Sequence, residues 1–477
     1  MKKDQARHEN SSIPSSSSVS SSSPQSLQRN NEVSPFAALT DPLVNDLNHV
    51  SKKYLSYFTT DVCRDLVVYD VPRHNPFREL IPLAHHHPVL LQIIIANSAL
   101  HMSNACQKPL ALNTAAFPPR RCTSPLGFSR SSSSDVQRAE AYVDALAAKQ
   151  RALYLLKSTL ASMASTDIDV TLAVVLLFIE YELIDSGRDN WKYHINGAKT
   201  IIETLCGSDV STQTAMGPLR RCLVSNCMVL DILGSTLACP IGLVPSDPGS
   251  TGTLSLLQDA EGNHCSSFPA VLLQLLRTGA QLSQQDHAPS SPCLLTGIKR
   301  RELLLFLLDA AQSFSPLAWA TDLQTRSPAT DLLHRTHVAS AHRAAVCIYL
   351  SRVLLTFYPS IELSNDLDSL VGDVITHLSL IRRSDPLFTA TAWPALIAGA
   401  ETKDLSRQEW VSRRFHELWE VEPWGLIRGA LGVLETIWKG RRRGTVIDEE
   451  GAPLEGKMGD GNWIGDLRGR GVDWLIL

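Results

Sequence analysis

The stretch 165–207, STDIDVTLAVVLLFIEYELIDSGRDNWKYHINGAKTIIETLCG, decides the fold. Residues 170–184 are apolar except for Thr171, Glu180 and Glu182. A helix that is apolar nearly all round belongs inside a protein, so this segment is predicted to be a central core helix. Thr166, three residues before Asp169, makes a capping-box-like start in which Asp replaces the usual Glu or Gln. Asp185-Ser186-Gly187 breaks the helix. A second, amphipathic helix is predicted from about residue 190, with Trp191, Ile195, Ala198, Ile201, Ile202 and Leu205 on or near one stripe and Gly207 as its C-cap. The pair predicts a buried helical hairpin.

Outward from this hairpin, the periodicity stays helical. Leu47, Val50, Tyr54, Leu55 and Phe58 share one face at helical spacing. Further helices are predicted over 88–104, opened by Pro88, and over 135–163, where Val143, Leu146, Gln150, Leu153, Leu156 and Leu160 form the stripe expected to face the core. Beyond the hairpin, helices are predicted over 219–238, 254–257, 268–282, 294–314, 331–357, 363–382, 389–402, 406–421 and 424–439. No period-2 run flanks a hairpin dipeptide, and no fixed repeat appears, so the class is all-α: a large multi-helix array rather than a regular solenoid. Residues 1–48 are rich in Ser and Pro, with Ser runs at 15–18 and 20–23, and are expected to form a disordered tail. Residues 107–134, with four prolines and another Ser run, are expected to be a disordered internal loop within a single helical domain over 49–477.

Composition excludes several functions. At 477 residues and 44% apolar content the chain supports a large core. A net charge of −4 rules out whole-chain electrostatic binding to nucleic acid. No uninterrupted apolar run reaches the roughly 18–20 residues of a membrane span, and the start, Met-Lys-Lys-Asp followed by serines, lacks a signal-peptide core. No membrane association or secretion is therefore expected. There is no Gly-x-Ser-x-Gly elbow, Walker motif or dinucleotide glycine pattern, so no enzymatic activity is expected. Asn365-Asp366, Ser369 and Asp373 resemble half of a terpene-cyclase magnesium motif, but the partner aspartate-rich motif is missing, and Asp366 reads better as a helix N-cap. The ten cysteines form no Cys-x-x-Cys pair, and His85-His86-His87 has no Cys or carboxylate neighbour to complete a site. The best basic run is Lys439, Arg441, Arg442 and Arg443, which reads either as a nuclear localisation or phosphate contact or as a helix end whose cations face the dipole.

Several ordered matches carry a family resemblance. Glu182-Leu183-Ile184-Asp185-Ser186-Gly187, Asn190-Trp191-Lys192, His194 and Gly197-Ala198-Lys199 form the central one. Before it lie Asn75-Pro76-Phe77-Arg78 and Ala148-Lys149-Gln150-Arg151. After it come Trp393-Pro394-Ala395-Leu396 through Gly399-Ala400-Glu401, then Trp463, Asp466 and Trp474-Leu475-Ile476-Leu477. Together these resemble the fungal-specific transcription factor domain, the helical regulatory region of zinc-binuclear-cluster regulators. The signature positions Trp191, His194, Gly197, Trp393, Pro394 and Gly399 read as structural: indole anchors, a hydrogen-bonded core histidine, and glycines that let helices approach.

The resemblance implies a nuclear, pathway-specific regulator of a metabolic or biosynthetic gene cluster. Its helical domain is expected to dimerise with itself or another chain, to contact co-regulators, or to respond to an effector bound between helices. The zinc of relatives has no cysteine set here, since the first cysteine is Cys63, inside the helical region; no cofactor is expected. Specific DNA recognition is expected to come from a DNA-binding partner or from a zinc-cluster segment outside this sequence. A helical interaction scaffold and an all-α terpene-cyclase-like enzyme are the alternatives.

Overall fold

The computed structural model describes residues 47–71, 74–107, 133–161, 168–206, 216–238, 251–284, 297–329, 331–443 and 462–477. The expected disordered tail and loop, Thr166 and Gly207 fall almost wholly outside these residues. The described chain is all-α, with seventeen helices. They are α1 (His49–Tyr57), α2 (Leu80–His86), α3 (Pro88–Ala105), α4 (Ser133–Ala161), α5 (Ile168–Asp185), α6 (Trp191–Cys206), α7 (Pro218–Leu237), α8 (Thr251–Asn263) and α9 (Ala270–Leu282). The series continues with α10 (Gly297–Ser313), α11 (Pro316–Arg326), α12 (Leu332–Phe357), α13 (Leu367–Ser379), α14 (Ala392–Glu401), α15 (Leu405–Val421), α16 (Gly425–Arg443) and α17 (Trp463–Arg468). The sole β-type pairing among the described residues is one bridge, Arg188 to Trp474.

Two hub helices organise the array. Every residue from Val170 to Ile184 of α5 is buried, as its all-round apolar character requires. Helices α3, α6, α7 and α16 surround it. Two asparagines on α3 latch onto its backbone: Asn97 Nδ2 donates to Leu177 O at 2.9 Å and Asn104 Nδ2 to Ile184 O at 2.7 Å. The second hub is α12, enclosed by α9, α10, α11, α13 and α14. It is long and apolar enough to cross a membrane, unlike anything the uninterrupted apolar runs suggested, but 83% of its most apolar window is buried inside the protein. One continuous core joins the hubs.

Side-chain oxygens start many helices. Asp331, Asp385 and Asp404 each cap the element that follows by accepting backbone N–H bonds. Asp366 accepts from Ser369 N at 3.2 Å, the N-cap role read from the sequence.

Two amphipathic readings need correction. In α1, Tyr54, Leu55 and Phe58 are buried as expected, but Val50 is 50% exposed. The turn Phe58–Val62 is a π-turn, which shifts the helical register before the chain reaches Asp65. In α4 most of the expected core stripe faces solvent: Val143, Leu146, Gln150, Leu153 and Leu160 are exposed, while Leu156 packs partly against the core. The buried positions are Ala141, Ala145, Ala148 and Ala152, packed toward α3. Alanines let two helix backbones approach closely along 141–152, and beyond them Leu155 and Leu156 pack partly against the core. Helix α11, absent from the sequence reading, occupies Pro316–Arg326 behind a Ser315 cap.

Candidate functional site

The central signature knits three segments together. The α5–α6 turn needs a left-handed residue at Gly187 (φ 70°), and its carbonyl accepts from Leu475 N at 2.9 Å. Asp189 N donates to Asp473 O at 2.8 Å, and Trp191 Nε1 donates to the same carbonyl at 3.1 Å. Arg188 lies over the Trp474 ring, 5.1 Å from its centroid. A Cβ added at Gly425 would lie 1.8 Å from Asp185 O, so α16 begins pressed against this turn. The central and closing motifs, nearly 290 residues apart, thus form one clamp.

His194 is half-buried rather than a core residue. Its ring stacks on Phe178 at 4.9 Å and faces Glu182 at 3.9 Å. Burial would raise the Glu182 carboxyl, but the neighbouring His194 ring and the Lys149 ammonium, whose Nζ donates to it at 2.6 Å, hold it below the usual range. Gly197 does not serve close helix approach: the nearest atom to an added Cβ is Val175 Cγ1 at 3.9 Å, ordinary contact. Gly399 does, with Val411 Cγ1 at 2.8 Å from the added Cβ. Trp393 is fully buried, edge-on to Phe268 at 5.2 Å, and Pro394 sits in the first turn of α14.

One member of the basic run is committed to the fold. Arg441 caps the end of α14, donating to the carbonyls of Ala400 at 2.5 Å and Thr402 at 3.0 Å. Lys439 pairs with Glu435 at 2.9 Å, and Arg442 also has an interaction partner. The side chain of Arg443 lies outside the described residues. Of the described side chains of the run, only Arg441 is withdrawn from the surface; the Lys439 side chain stays 60% exposed and Arg442 is exposed.

Two clefts open on the surface. The first, about 340 Å³, lies between α1, α3 and the α15–α16 turn. Its wall holds a polar relay. The Asp65 carboxylate can only accept, so His101 Nε2–H donates to it at 3.0 Å; in the neutral ring Nδ1 then accepts from Tyr57 Oη–H at 2.9 Å. Arg64 Nε donates to the other Asp65 oxygen at 3.0 Å. Burial, then Asp61 and Asp65, raise the Tyr57 phenol. Beside the cleft, Glu422 is buried, and burial with the Asp65 and Glu180 carboxylates pushes it well above the carboxylate range. Burial alone raises Glu180 to about 8. Burial thus favours the neutral acid at Glu180 and Glu422, and the buried Cys265 thiol near both is itself pushed well above its usual range.

The second cleft, about 370 Å³, is lined by Arg382, Arg383, Arg413, Arg414, Phe388 and Trp410, with Glu417 at its edge. Arg414 is structural: it donates to Leu378 O at 2.8 Å and lies over both aromatic rings. Arg383 pairs with Glu420. Arg382 and Arg413 have no ion-pair partner among the described residues and carry their charge to the cleft. This geometry favours an anionic group. The sequence signal was a pair of Arg-Arg doublets about thirty residues apart, legible only once α13 and α15 are known to meet.

Among the described residues, no three His, Cys, Asp or Glu side chains stand together as a metal set. Asp373 of the half magnesium motif is exposed on α13, beyond the Asp366–Ser369 cap.

Comparison with known proteins agrees with this architecture. The sequence model of the fungal-specific transcription factor domain matches residues 53–475. The chain is similar to the acriflavine sensitivity control protein acr-2 of Neurospora crassa, with 32% identity over 410 residues, covering 84% of this chain and 64% of that relative. It therefore spans less than two thirds of the relative's length. No solved structure matches.

Proposed function

The chain belongs to the fungal-specific transcription factor domain family, and from that premise we propose that it regulates transcription in the nucleus as the helical regulatory part of a pathway-specific control protein. The family is one of transcription regulators, not of enzymes. The observation that carries the proposal is the family match across nearly the whole helical region, including the segments that the Gly187–Leu475 clamp joins.

In this reading the helical domain pairs with another chain, meets co-regulators, and takes a carboxylate- or phosphate-bearing effector in the arginine cleft. Specific DNA contact comes from a DNA-binding partner or from a segment beyond the sequence in hand, and the helical domain itself needs no metal. Transcript sequencing of a deletion strain against wild type tests the proposal. A contiguous set of metabolic genes rising or falling together supports it. Unchanged transcripts in every growth condition tried, with the protein found outside the nucleus, reject it and favour an interaction scaffold.

A further inference from the structure

The outward face of α4 has the heptad spacing of a coiled-coil seam. Val136, Ala139, Val143, Leu146, Gln150, Leu153, Lys157 and Leu160 follow alternating spacings of three and four residues, and every one is exposed. Written as heptads, the a positions are Val136, Val143, Gln150 and Lys157, and the d positions are Ala139, Leu146, Leu153 and Leu160. Apolar side chains at a and d make such a seam, and a polar residue at an a position specifies register. Seven of the seventeen large apolar side chains exposed among the described residues lie on this helix, with Val143 at 63% and Tyr154 at 74%. The opposite face is the alanine stripe that holds α4 against α3. The seam is therefore carried on a fixed support.

We propose that α4 pairs antiparallel with α4 of a second copy of this chain, about a two-fold axis level with Ala148. This deepens the pairing expected of the regulator reading and rests on it only for its biological use. Three observations choose the occupant and its direction. The first is register. Reflection about residue 148 sets Val136 against Leu160, Ala139 against Lys157, Val143 against Leu153 and Leu146 against Gln150, so each polar a side chain meets an apolar d residue of the other copy. Parallel pairing would instead set Lys157 on Lys157 and Gln150 on Gln150.

The second observation is charge. Up to residue 147, α4 carries Asp135, Glu140 and Asp144 with a single Arg138; from 148 onward it carries Lys149, Arg151 and Lys157 and no acid. Lys149 is committed to Glu182, Asp144 accepts from Tyr54 at 2.7 Å, and Arg151 meets Gln92, so the contact left across the seam is Glu140 of one copy with Lys157 of the other. The third is the helix dipole, which antiparallel pairing sets in the favourable sense. A self-complementary patch of this kind makes a closed dimer rather than a fibre.

Analytical ultracentrifugation of the full chain tests the pairing. Wild type is expected to sediment as a dimer at tens of micromolar. Val143→Asp with Leu153→Asp is expected to sediment as a monomer with unchanged helicity, because both positions are exposed. For direction, mild oxidation of the double variant Val143→Cys with Leu153→Cys is expected to give a covalent dimer, while Val143→Cys alone gives none. A dimer that survives the double Asp substitution overturns the proposed surface but leaves the regulator reading standing. So does a covalent dimer from Val143→Cys alone, which would mean parallel pairing. A monomeric wild type also overturns the proposal; if in addition the thiol introduced by Val143→Cys resists labelling until residues 108–132 are deleted, the chain covers its own seam. Failure of the regulator reading would appear separately, in the transcripts of the deletion strain.

Discussion

Helices α4 and α5 are neighbours in sequence and answer the burial problem in opposite ways. In α5 every residue from Val170 to Ile184 is buried, with large aliphatic side chains on every side. In α4 four alanines point inward and seven large apolar side chains point outward, with Leu155 and Leu156 partly buried between. The difference shows that burial is decided by the space between backbones as well as by hydrophobicity. α5 sits in a wide cage of helices that its leucines and valines must fill, whereas α4 lies close against α3 along 141–152, where the buried side chains are alanines. Most large apolar residues are core material on a hub helix and surface material on α4.

The most forceful way to break this comparison is to cut the same side chain from both helices. Leu176→Ala on α5 is expected to lower the unfolding free energy by about 2–5 kcal/mol, because the cage cannot collapse into the cavity. Leu153→Ala on α4 should stay within about 0.5 kcal/mol when urea unfolding is followed at concentrations too low for self-association. Equal losses at the two sites would mean that α4 is not outward-facing in solution.

Adding volume probes the other side of α4. Ala148→Leu should cost about 1–3 kcal/mol, since the leucine must push α4 away from α3. Gly399→Ala on α14 should cost a similar amount, with Val411 Cγ1 and Leu434 Cδ2 within 3.0 Å of the new methyl. Thermal melts read both, and an unchanged melting temperature for Ala148→Leu would show that the alanine face is looser than drawn.

The third test uses the charge hidden in α5. Glu180 is fully buried with Oε2 unpartnered, and burial raises its carboxyl to about 8. Its folded value exceeds the unfolded one, so the neutral acid is accommodated at low pH. Stability is lost as pH rises from the unfolded value toward about 8, because only the unfolded chain ionises freely. Glu180→Gln removes this dependence and is expected to be more stable than wild type at pH 8 by about 1–3 kcal/mol, with a smaller difference at pH 5. Parallel stability–pH curves for the two proteins would refute the assignment to Glu180.

How much of this was legible in the sequence follows the same division. The buried α5–α6 hairpin could be read because an all-round apolar run admits one environment. The Asp366 cap could be read because capping is local chemistry. The outward face of α4 could not, because a Val/Leu stripe and an alanine stripe on one helix both satisfy helical period, and the choice depends on how near α3 lies. The Arg441 cap on α14 and the arginine cleft were illegible for a related reason: both depend on helix ends brought together from segments about thirty to forty residues apart.

The smallest expected effect sharpens what a signature glycine means. Gly197 lies on α6, the helix that lines α5, and an added Cβ would find Val175 Cγ1 at 3.9 Å and nothing nearer. A methyl group there fills ordinary contact space beside the hub. It also removes the entropy penalty of glycine inside a helix, which is about 0.5–1 kcal/mol. Gly197→Ala is therefore expected to raise stability by up to about 1 kcal/mol, opposite in sign to Gly399→Ala, and a melt of the two variants side by side checks it. If Gly197→Ala instead destabilises the chain, α6 must approach α5 more closely in solution, and the cage around the hub would be tighter than the α4 comparison implies. If it stabilises the chain yet abolishes the transcript response of the regulated genes, Gly197 serves contact with something outside this chain, on the half-exposed side of the helix that also carries His194.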